Sequence, residues 1–185
     1  MAGQVQKNFL VTGRPGIGKT TCLQRASELL ISRGVRVGGM ITLEKREGGV
    51  RVGFEVRDVL SGAVGTLASV GSGAGPRIGR YVVNLADLER VGVEAISRAL
   101  RDAQVVVIDE IGPMELLSRK FVDAVFSALD SPKPVLATIH VRAGETEVGR
   151  RILSRGDVRV FELTLANRDR IPYELARAVA SILSR

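Results

Sequence analysis

The sequence predicts a three-layer α/β domain in which a mostly parallel β-sheet is flanked by helices. Two observations support this fold class. Strand and helix patterns alternate over most of the chain, and two strand candidates, Val105–Ile108 and Val135–Ile139, are continuous apolar runs. Strands that helices cover on both faces have this composition, because neither face meets water. At 185 residues, we expect one domain spanning 1–185 with a single core.

The first elements along the chain are a strand at about 9–12 and a helix at about 19–33. The helix carries apolar residues at helical spacing and ends before Gly34, a residue that suits the turn after a helix. A second strand begins near Val35 and runs to Thr42.

The region from Leu43 to Val83 has a different character. Helical periodicity is weak, and short alternating segments at 50–56, 63–67 and 81–83 are separated by glycine-rich turns. This pattern predicts a β-hairpin or meander near 43–83, with a flexible glycine-rich loop. About forty residues are too few for an independent core, so we expect an insertion on the main sheet.

The alternation of strands and helices returns after residue 83. The predicted helices lie at 85–101, 114–129, 145–154 and 172–183, and the predicted strands at 105–109, 135–139 and 158–163. In such a fold, ligands bind at the carboxyl ends of the parallel strands.

The segment after the first strand carries a phosphate-binding motif. Residues 13–20 read G-R-P-G-I-G-K-T, which matches G-x-x-x-x-G-K-[ST] between a strand and a helix. The glycines let backbone N–H groups point at a polyphosphate, Lys19 would reach the β and γ oxygens, and Thr20 would offer a hydroxyl to Mg²⁺. The nucleotide-binding candidates here are Gly13, Arg14, Pro15, Gly16, Ile17, Gly18, Lys19, Thr20 and Thr21.

A second motif follows in the strand at 105–109. Four apolar residues end in Asp109-Glu110, so the acids emerge at the sheet edge beside the phosphate loop. Asp109 would hold Mg²⁺ through water, and Glu110 would orient and deprotonate the attacking water, which favours hydrolysis over transfer. We predict Lys19 and Glu110 as catalytic residues. The binding candidates of this segment are Val105, Val106, Val107, Ile108, Asp109, Glu110, Ile111 and Gly112.

Other polar residues carry weaker signals. Thr138 and His140 end the next strand and are candidates to sense the γ-phosphate or position water, although a lone histidine is more often a plain polar residue. Asn167 and Arg168 are nucleobase candidates, or else the start of the last helix. Tyr173 is a further stacking candidate.

Four arginines follow the strand at 135–139. Hydrolases of this type often use an arginine to neutralise charge on the transferring phosphoryl group, although a solvated basic helix face explains the same pattern. The cluster consists of Arg142, Arg150, Arg151 and Arg155.

The composition limits the possible partners and surroundings. The net charge is +7, but the basic residues are scattered and only five Phe and two Tyr are available for stacking, so nucleic acid is possible but not favoured. The N-terminal segment 1–8 has no apolar leader, no apolar run reaches the roughly 18 residues of a membrane helix, and Cys22 is the single cysteine. We expect a cytoplasmic monomer.

Several segments together resemble the small THEP-type nucleoside triphosphatases of thermophilic archaea, bacteria and animals. The resemblance covers nearly the whole chain. Its most specific part is the string D-E-I-G-P-M-E-L at 109–116. The other matching segments are 13–21, 38–42, 52–54, 79–83, 162–164 and 167–168.

The resemblance implies slow, Mg²⁺-dependent hydrolysis of ATP, GTP, CTP and UTP to diphosphate and phosphate, with loose base preference. It also implies that 13–20 and 105–112 form the nucleotide site. Many members carry lysine where this chain has Pro113. If that lysine helps catalysis, the charge must come from elsewhere here, for example from the arginine cluster.

Two alternatives remain open at this point. A nucleotide or small-metabolite kinase would keep an arginine-rich lid, but kinases of this size usually carry a helical acceptor-binding insertion where this chain has β-structure. A nucleotide-gated, RNA-associated switch would use the glycine-rich loop 71–79 as its mobile element. Phosphate release from ATP alone indicates a hydrolase rather than a kinase, and faster hydrolysis in the presence of RNA indicates the switch.

Overall fold

The structure is a computed structural model that describes residues 4–185, so part of the N-terminal segment discussed above (1–3) lies outside it. Nine strands occur in the described chain. They are β1 (Asn8–Thr12), β2 (Val37–Glu47), β3 (Val50–Asp58), β4 (Val64–Val70), β5 (Arg77–Ile78), β6 (Tyr81–Val83), β7 (Val105–Ile111), β8 (Val135–Ile139) and β9 (Val158–Glu162).

Helices connect the strands of the parallel half. They are α1 (Lys19–Ile31), α2 (Leu85–Asp87), α3 (Glu94–Asp102), α4 (Arg119–Asp130), α5 (Glu147–Leu153) and α6 (Ile171–Leu183). A π-helical segment, Leu88–Val93, joins α2 to α3. Within residues 4–185, no helix combines the length and apolarity that crossing a membrane requires.

All nine strands belong to one sheet, in the order β5-β6-β4-β3-β2-β7-β8-β1-β9. The pairings from β2 through β7, β8 and β1 to β9 are parallel. Those from β2 through β3, β4 and β6 to β5 are antiparallel. The sheet is therefore mixed rather than mostly parallel, because the predicted insertion at 43–83 is a meander that extends the edge at β2.

The strand β2 continues past its predicted end at Thr42. Its last residues are exposed and charged, and they are held by antiparallel pairing with β3, in which Glu44 lies opposite Phe54 and Arg46 opposite Arg51. Because these residues are exposed and charged, the apolar pattern of the sequence predicted an earlier end for the strand.

Two predicted helices begin later than expected because hydroxyl caps define their starts. The Ser118 hydroxyl accepts from the Phe121 amide at 3.1 Å, so α4 begins at Arg119 rather than near 114. The Thr146 hydroxyl accepts from the Gly149 amide at 2.9 Å, so α5 begins at Glu147 rather than at 145. Short 3₁₀ turns fill the chain before each cap.

The core is divided between the two faces of the sheet, which gives the predicted three layers. On one face, α3, α4 and the π-helical segment pack residues such as Leu88, Ile96 and Phe121 against the sheet. On the other face, α1 and α6 contribute Leu23 and Leu175. The central strand β7 has Val105, Val106, Val107 and Ile108 fully or almost fully buried, as their continuous apolar run predicted.

The parallel register brings the site residues to one edge of the sheet. Val11 of β1 lies opposite Thr138 of β8, and Ile108 of β7 lies opposite Ala137 of β8. The loop after β1, the acids after Ile108 and the end of β8 therefore meet at the carboxyl ends of neighbouring strands.

Gly39 allows the close approach of β2 to β7, and we expect Gly39→Ala to destabilise the fold. Its φ is +126°, and a Cβ built there lies 1.9 Å from the Val107 carbonyl oxygen. The substitution should lower the free energy of unfolding by about 2–5 kcal/mol, measured by urea denaturation. The control Gly48→Ala, with φ +56° and no atom within 4 Å of the new Cβ, should cost only about 1 kcal/mol. Equal losses in the two variants would show that backbone conformation, and not the contact with β7, determines the effect.

Candidate active site

The phosphate-loop motif forms the connection between β1 and α1. Gly13, Gly16 and Gly18 have φ values of +152°, +77° and +109°, a region that other residues rarely adopt. A Cβ at Gly13 would also lie 2.9 Å from the Leu163 carbonyl oxygen. Gly18 is the N-cap of α1, so the free N–H groups of that helix open directly onto the loop.

The Lys19 side chain folds back over this loop. Its ammonium group donates to the carbonyl oxygen of Gly13 at 2.9 Å and to that of Arg14 at 3.4 Å. Thr20 and Thr21 follow in the first turn of α1 and line the same cavity as Lys19. A cation and the N-terminus of a helix thus face one concave backbone surface, which is an anion-binding arrangement.

Asp109 is a buried carboxylate, only 1% exposed. Its Oδ1 accepts from the Thr138 hydroxyl at 2.6 Å, whereas its Oδ2 is buried with no hydrogen-bond partner among the described residues. Burial raises the pKa of Asp109 to about 6, against the opposing effects of the Thr138 and Thr20 hydroxyls and Lys19. An oriented carboxylate with one unused oxygen suits a cation or its water.

Glu110 is less deeply buried and lies against Gly112. A Cβ at position 112 would be 2.4 Å from the Glu110 Oε1 atom, so the glycine leaves room for the carboxyl group. Burial raises the pKa of Glu110, and the positive charge of Lys19 acts in the opposite direction. A carboxylate with a raised pKa is a better proton acceptor than an exposed one.

One cavity of about 520 Å³ brings residues of both predicted motifs together. Its predicted lining residues are Pro15, Gly16, Gly18, Lys19, Thr20, Thr21, Asp109, Glu110 and His140. The apolar residues of β7 that precede Asp109 support this site from within the sheet and do not line it. This arrangement agrees with the hypothesis that the phosphate loop at 13–20 and the acids after Ile108 meet in space.

Thr138 and His140 occupy different environments. Thr138 is fully buried and its hydroxyl orients Asp109, so it acts behind the carboxylate rather than on the cavity surface. His140 lines the cavity, and its Nδ1 accepts from the Arg142 amide at 3.2 Å. Burial, followed by the charges of Lys19 and Arg142, lowers the pKa of His140, which favours the neutral imidazole.

The arginine cluster after β8 is engaged outside the cavity. Arg142 pairs with Glu145 at 2.9 Å, and Arg155 pairs with Asp130 and Asp157, both at 2.8 Å. The Arg150 guanidinium bonds to loop carbonyl groups, and that of Arg151 lies 4.4 Å from the centroid of the Phe126 ring. None of the four lines the cavity that contains Lys19.

A second groove runs along the outer side of the phosphate loop. It is lined by Gly16–Gly18, the start of α1, Arg25, Arg168 and Tyr173. Tyr173 is 48% exposed, and its hydroxyl accepts from Arg25 at 3.5 Å. The Asn167 side chain forms hydrogen bonds within its own loop and does not line this groove. Its Oδ1 accepts from the Thr164 amide at 2.8 Å, and its Nδ2 donates to the Glu162 carbonyl at 2.9 Å.

Sequence reasoning missed several residues that line the main cavity, among them Thr42, Arg51 and Glu115. Glu115 is 5% exposed, and burial together with the charges of Glu110 and Asp109 raises its pKa well above the usual range. The Thr42 hydroxyl donates to the Asp109 carbonyl oxygen. Arg51 enters from β3. Glu115 and Thr42 had a signal in the sequence, because they lie in the matching segments 109–116 and 38–42, whereas the position of Arg51 depends on strand pairing.

The described residues contain no cluster of three or more His, Cys, Asp or Glu side chains that could hold a metal ion by themselves. A metal at Asp109 must therefore share its coordination with other ligands. Mg²⁺ commonly binds in this way, through one or two protein oxygens, several waters and the phosphates of a nucleotide.

Comparisons with known proteins agree with this geometry. A family model described as NTPase matches residues 8–176. Nucleoside-triphosphatase THEP1 of Thermofilum pendens is 64% identical over 179 residues, covering 97% of this chain and 98% of that protein. Nucleoside-triphosphatase THEP1 of Pyrococcus abyssi is 43% identical over 179 residues, with 96% and 94% covered.

Two solved structures share the fold. The crystal structure of THEP1 from the hyperthermophile Aquifex aeolicus has a TM-score of 0.82 and 32% identity, covering 93% of this chain and 98% of that one. The solution structure of a human cancer-related nucleoside triphosphatase has a TM-score of 0.81 and 40% identity, with 95% and 98% covered. The predicted P-loop fold and the resemblance to THEP-type enzymes are both confirmed. The chain belongs to the THEP1 family of nucleoside triphosphatases and is a phosphohydrolase of nucleoside triphosphates.

Proposed function

We propose that this enzyme hydrolyses ATP, GTP, CTP and UTP to the diphosphate and phosphate, that it depends on Mg²⁺, and that it discriminates little between bases. The observation that carries the mechanism is the shared cavity: the Lys19 ammonium, the buried Asp109 carboxylate and the Glu110 carboxylate all line it. The group that binds phosphate, the group that would hold the metal and the general base therefore face the same reacting phosphoryl group.

The residues at Asp109 fit a magnesium ion. The unpartnered, buried Oδ2 of Asp109 and the hydroxyl of Thr20 are hard oxygen ligands, and Mg²⁺ prefers such ligands. Bound there with its waters, the ion would neutralise charge on the β and γ phosphate oxygens. Thr138 supports this role because its hydrogen bond keeps the other carboxylate oxygen occupied.

Lys19 and Glu110 take different parts in the reaction. The Lys19 ammonium, now bonded to loop carbonyls, can turn to the β and γ oxygens without leaving the loop. The Glu110 carboxylate orients the attacking water and accepts its proton as the new P–O bond forms. Its raised pKa strengthens it as a base, provided that it remains ionised at working pH.

Weak base selectivity is supported by the groove outside the phosphate loop. Tyr173 and Arg168 offer an exposed ring and a guanidinium plane, which stack on any base rather than reading the pattern of one. The Asn167 amide is committed to hydrogen bonds within its own loop. Arg168 is therefore the stronger nucleobase candidate of the pair.

We also propose a single functional unit over 1–185 that acts as a cytoplasmic monomer. Hydrolysis is favoured over a pure switch because Glu110 supplies a base beside the metal-binding acid, a group that binding alone does not require. Nucleic acid is possible as a partner but is not favoured, because the basic residues are scattered along the chain.

The test of this function is phosphate release from each of the four ribonucleoside triphosphates. We expect all four to be hydrolysed at rates within about tenfold of one another, since an open stacking site discriminates weakly. Chelation of Mg²⁺ should abolish release, and RNA should leave it unchanged. Release from ATP only when an acceptor is added would favour the kinase alternative, and strong stimulation by RNA would favour the switch.

We expect Lys19→Ala to weaken triphosphate binding and abolish measurable turnover, because the β and γ charges lose their main fixed partner. Calorimetric titration with a non-hydrolysable triphosphate measures the binding loss. The matched control is Lys120→Ala, which removes an exposed lysine paired with Glu89 and should behave as wild type. Wild-type turnover in the Lys19 variant would remove that residue from the mechanism.

We expect Glu110→Gln to retain nucleotide affinity while turnover falls by about 10²–10⁴-fold, the usual contribution of a general base. Binding and single-turnover measurements separate the two effects. Glu145→Gln, which neutralises an exposed carboxylate paired with Arg142, is the control and should retain turnover. A parallel loss of affinity and turnover would instead make Glu110 a metal or structural ligand.

A further inference from the structure

The main cavity is lined by a group of apolar residues as well as by the phosphate loop and the acids. Past Glu110 it continues beneath the antiparallel meander and the segment at 113–115. We call this region the meander compartment. Its apolar walls are Leu43, Phe54, Leu67, Ile78, Pro113 and Met114.

The chemistry of these walls does not match a phosphate group. Phosphates bind to N–H groups and cations, which the loop at 13–20 and Lys19 supply at the opposite end of the cavity. Hydrolysis requires a single water beside Glu110, and an apolar wall does nothing to hold it. The whole cavity, including the phosphate end, has a volume of about 520 Å³, and apolar walls combined with placed polar groups are typical of a small-molecule site.

One cation lines the meander compartment. The Arg51 guanidinium is held by three neighbours: Nη1 donates to Glu44 at 3.0 Å, Nε donates to the Tyr81 hydroxyl at 2.9 Å, and Cζ lies 5.3 Å from the centroid of the Phe54 ring. Its side chain remains 40% exposed. Arg51 and Phe54 thus present a fixed positive charge beside an aromatic face.

The charge around Arg51 is unbalanced. Glu44 also accepts from Arg46 at 2.7 Å, so one carboxylate serves two guanidinium groups. Arg80 adds a third, since it donates to the Arg51 carbonyl at 2.8 Å and to the Tyr81 hydroxyl. Three arginines surround one glutamate on the meander side, whereas the carboxyl groups of Glu110 and Glu115 also line the cavity. The charge therefore favours an anion on the side of Arg51.

We propose that the meander compartment is a second small-molecule site, which binds a ring-bearing organic anion beside the reacting phosphoryl group. The ring packs on Phe54, Leu67 and Ile78, and the anionic group faces Arg51. A ligand in this position lies beside Glu110 and therefore slows the attack of water on the γ-phosphate. The site is separate from the groove at Arg168 and Tyr173, on the outer side of the phosphate loop.

The test is a fluorescence titration with anilinonaphthalene sulfonate, an aromatic anion whose emission rises in apolar surroundings. The full chain is first saturated with Mg²⁺ and ADP, so the phosphate loop is filled and no turnover occurs. We expect one probe molecule to bind per chain. Arg51→Ala and Phe54→Leu should each weaken that binding by about tenfold, since each removes one of the two defining contacts.

Two controls make the result specific. Arg142→Ala removes an exposed arginine outside the cavity and should leave probe affinity unchanged. Retained ADP binding in the Arg51 and Phe54 variants shows that they are folded. Because the measurement uses ADP, it is independent of whether the chain hydrolyses all four triphosphates.

Three outcomes would overturn the second site. Probe binding that occurs in a parallel titration without ADP and is lost when ADP is present would assign the compartment to the nucleotide itself. Binding that neither variant weakens would place the probe elsewhere, and absence of binding would show that the walls do not accept a ring-bearing anion.

Discussion

The hydrogen bond from the Thr138 hydroxyl to Asp109 Oδ1 is the interaction on which the active site depends. It joins the ends of two neighbouring parallel strands, β8 and β7, and both partners are buried. Burial makes the ionised carboxylate costly, and the hydroxyl offsets part of that cost while fixing the direction of the other oxygen. The orientation of the Asp109 carboxylate thus rests on the register of the sheet.

The two halves of the sheet contribute different parts of the main cavity. The parallel half provides the phosphate loop, the acids after Ile108 and Thr138, all at carboxyl ends of strands. The antiparallel half, attached at β2, provides the opposite wall with Arg51 and Phe54. A continuous sheet therefore places the phosphate-loop motif against a wall built by the meander, and it is on this wall that we propose the second ligand.

Prediction from sequence succeeded where the signal is local. The phosphate loop, the apolar strand ending in Asp109-Glu110 and the meander at 43–83 follow from short-range patterns of glycine, apolar residues and acids. Prediction failed where tertiary contacts set the outcome: Ser118 and Thr146 start helices later than periodicity indicates, and β2 extends through exposed charges that pair with β3. The arginines after β8, judged by proximity in sequence, are ion-paired or packed away from the cavity.

By itself, the sequence determined the family, the fold class and the presence of a phosphate-loop motif, because steric and chemical demands on a phosphate-binding backbone permit few residue types at few spacings. Only the tertiary structure decided that Thr138 orients Asp109 from behind, that Glu115 is buried beside the other acids, and that Arg51 is the arginine in the cavity. These facts arise from pairing between strands that are distant in the chain. The residues next to a position in the sequence do not indicate which strand will pair with it.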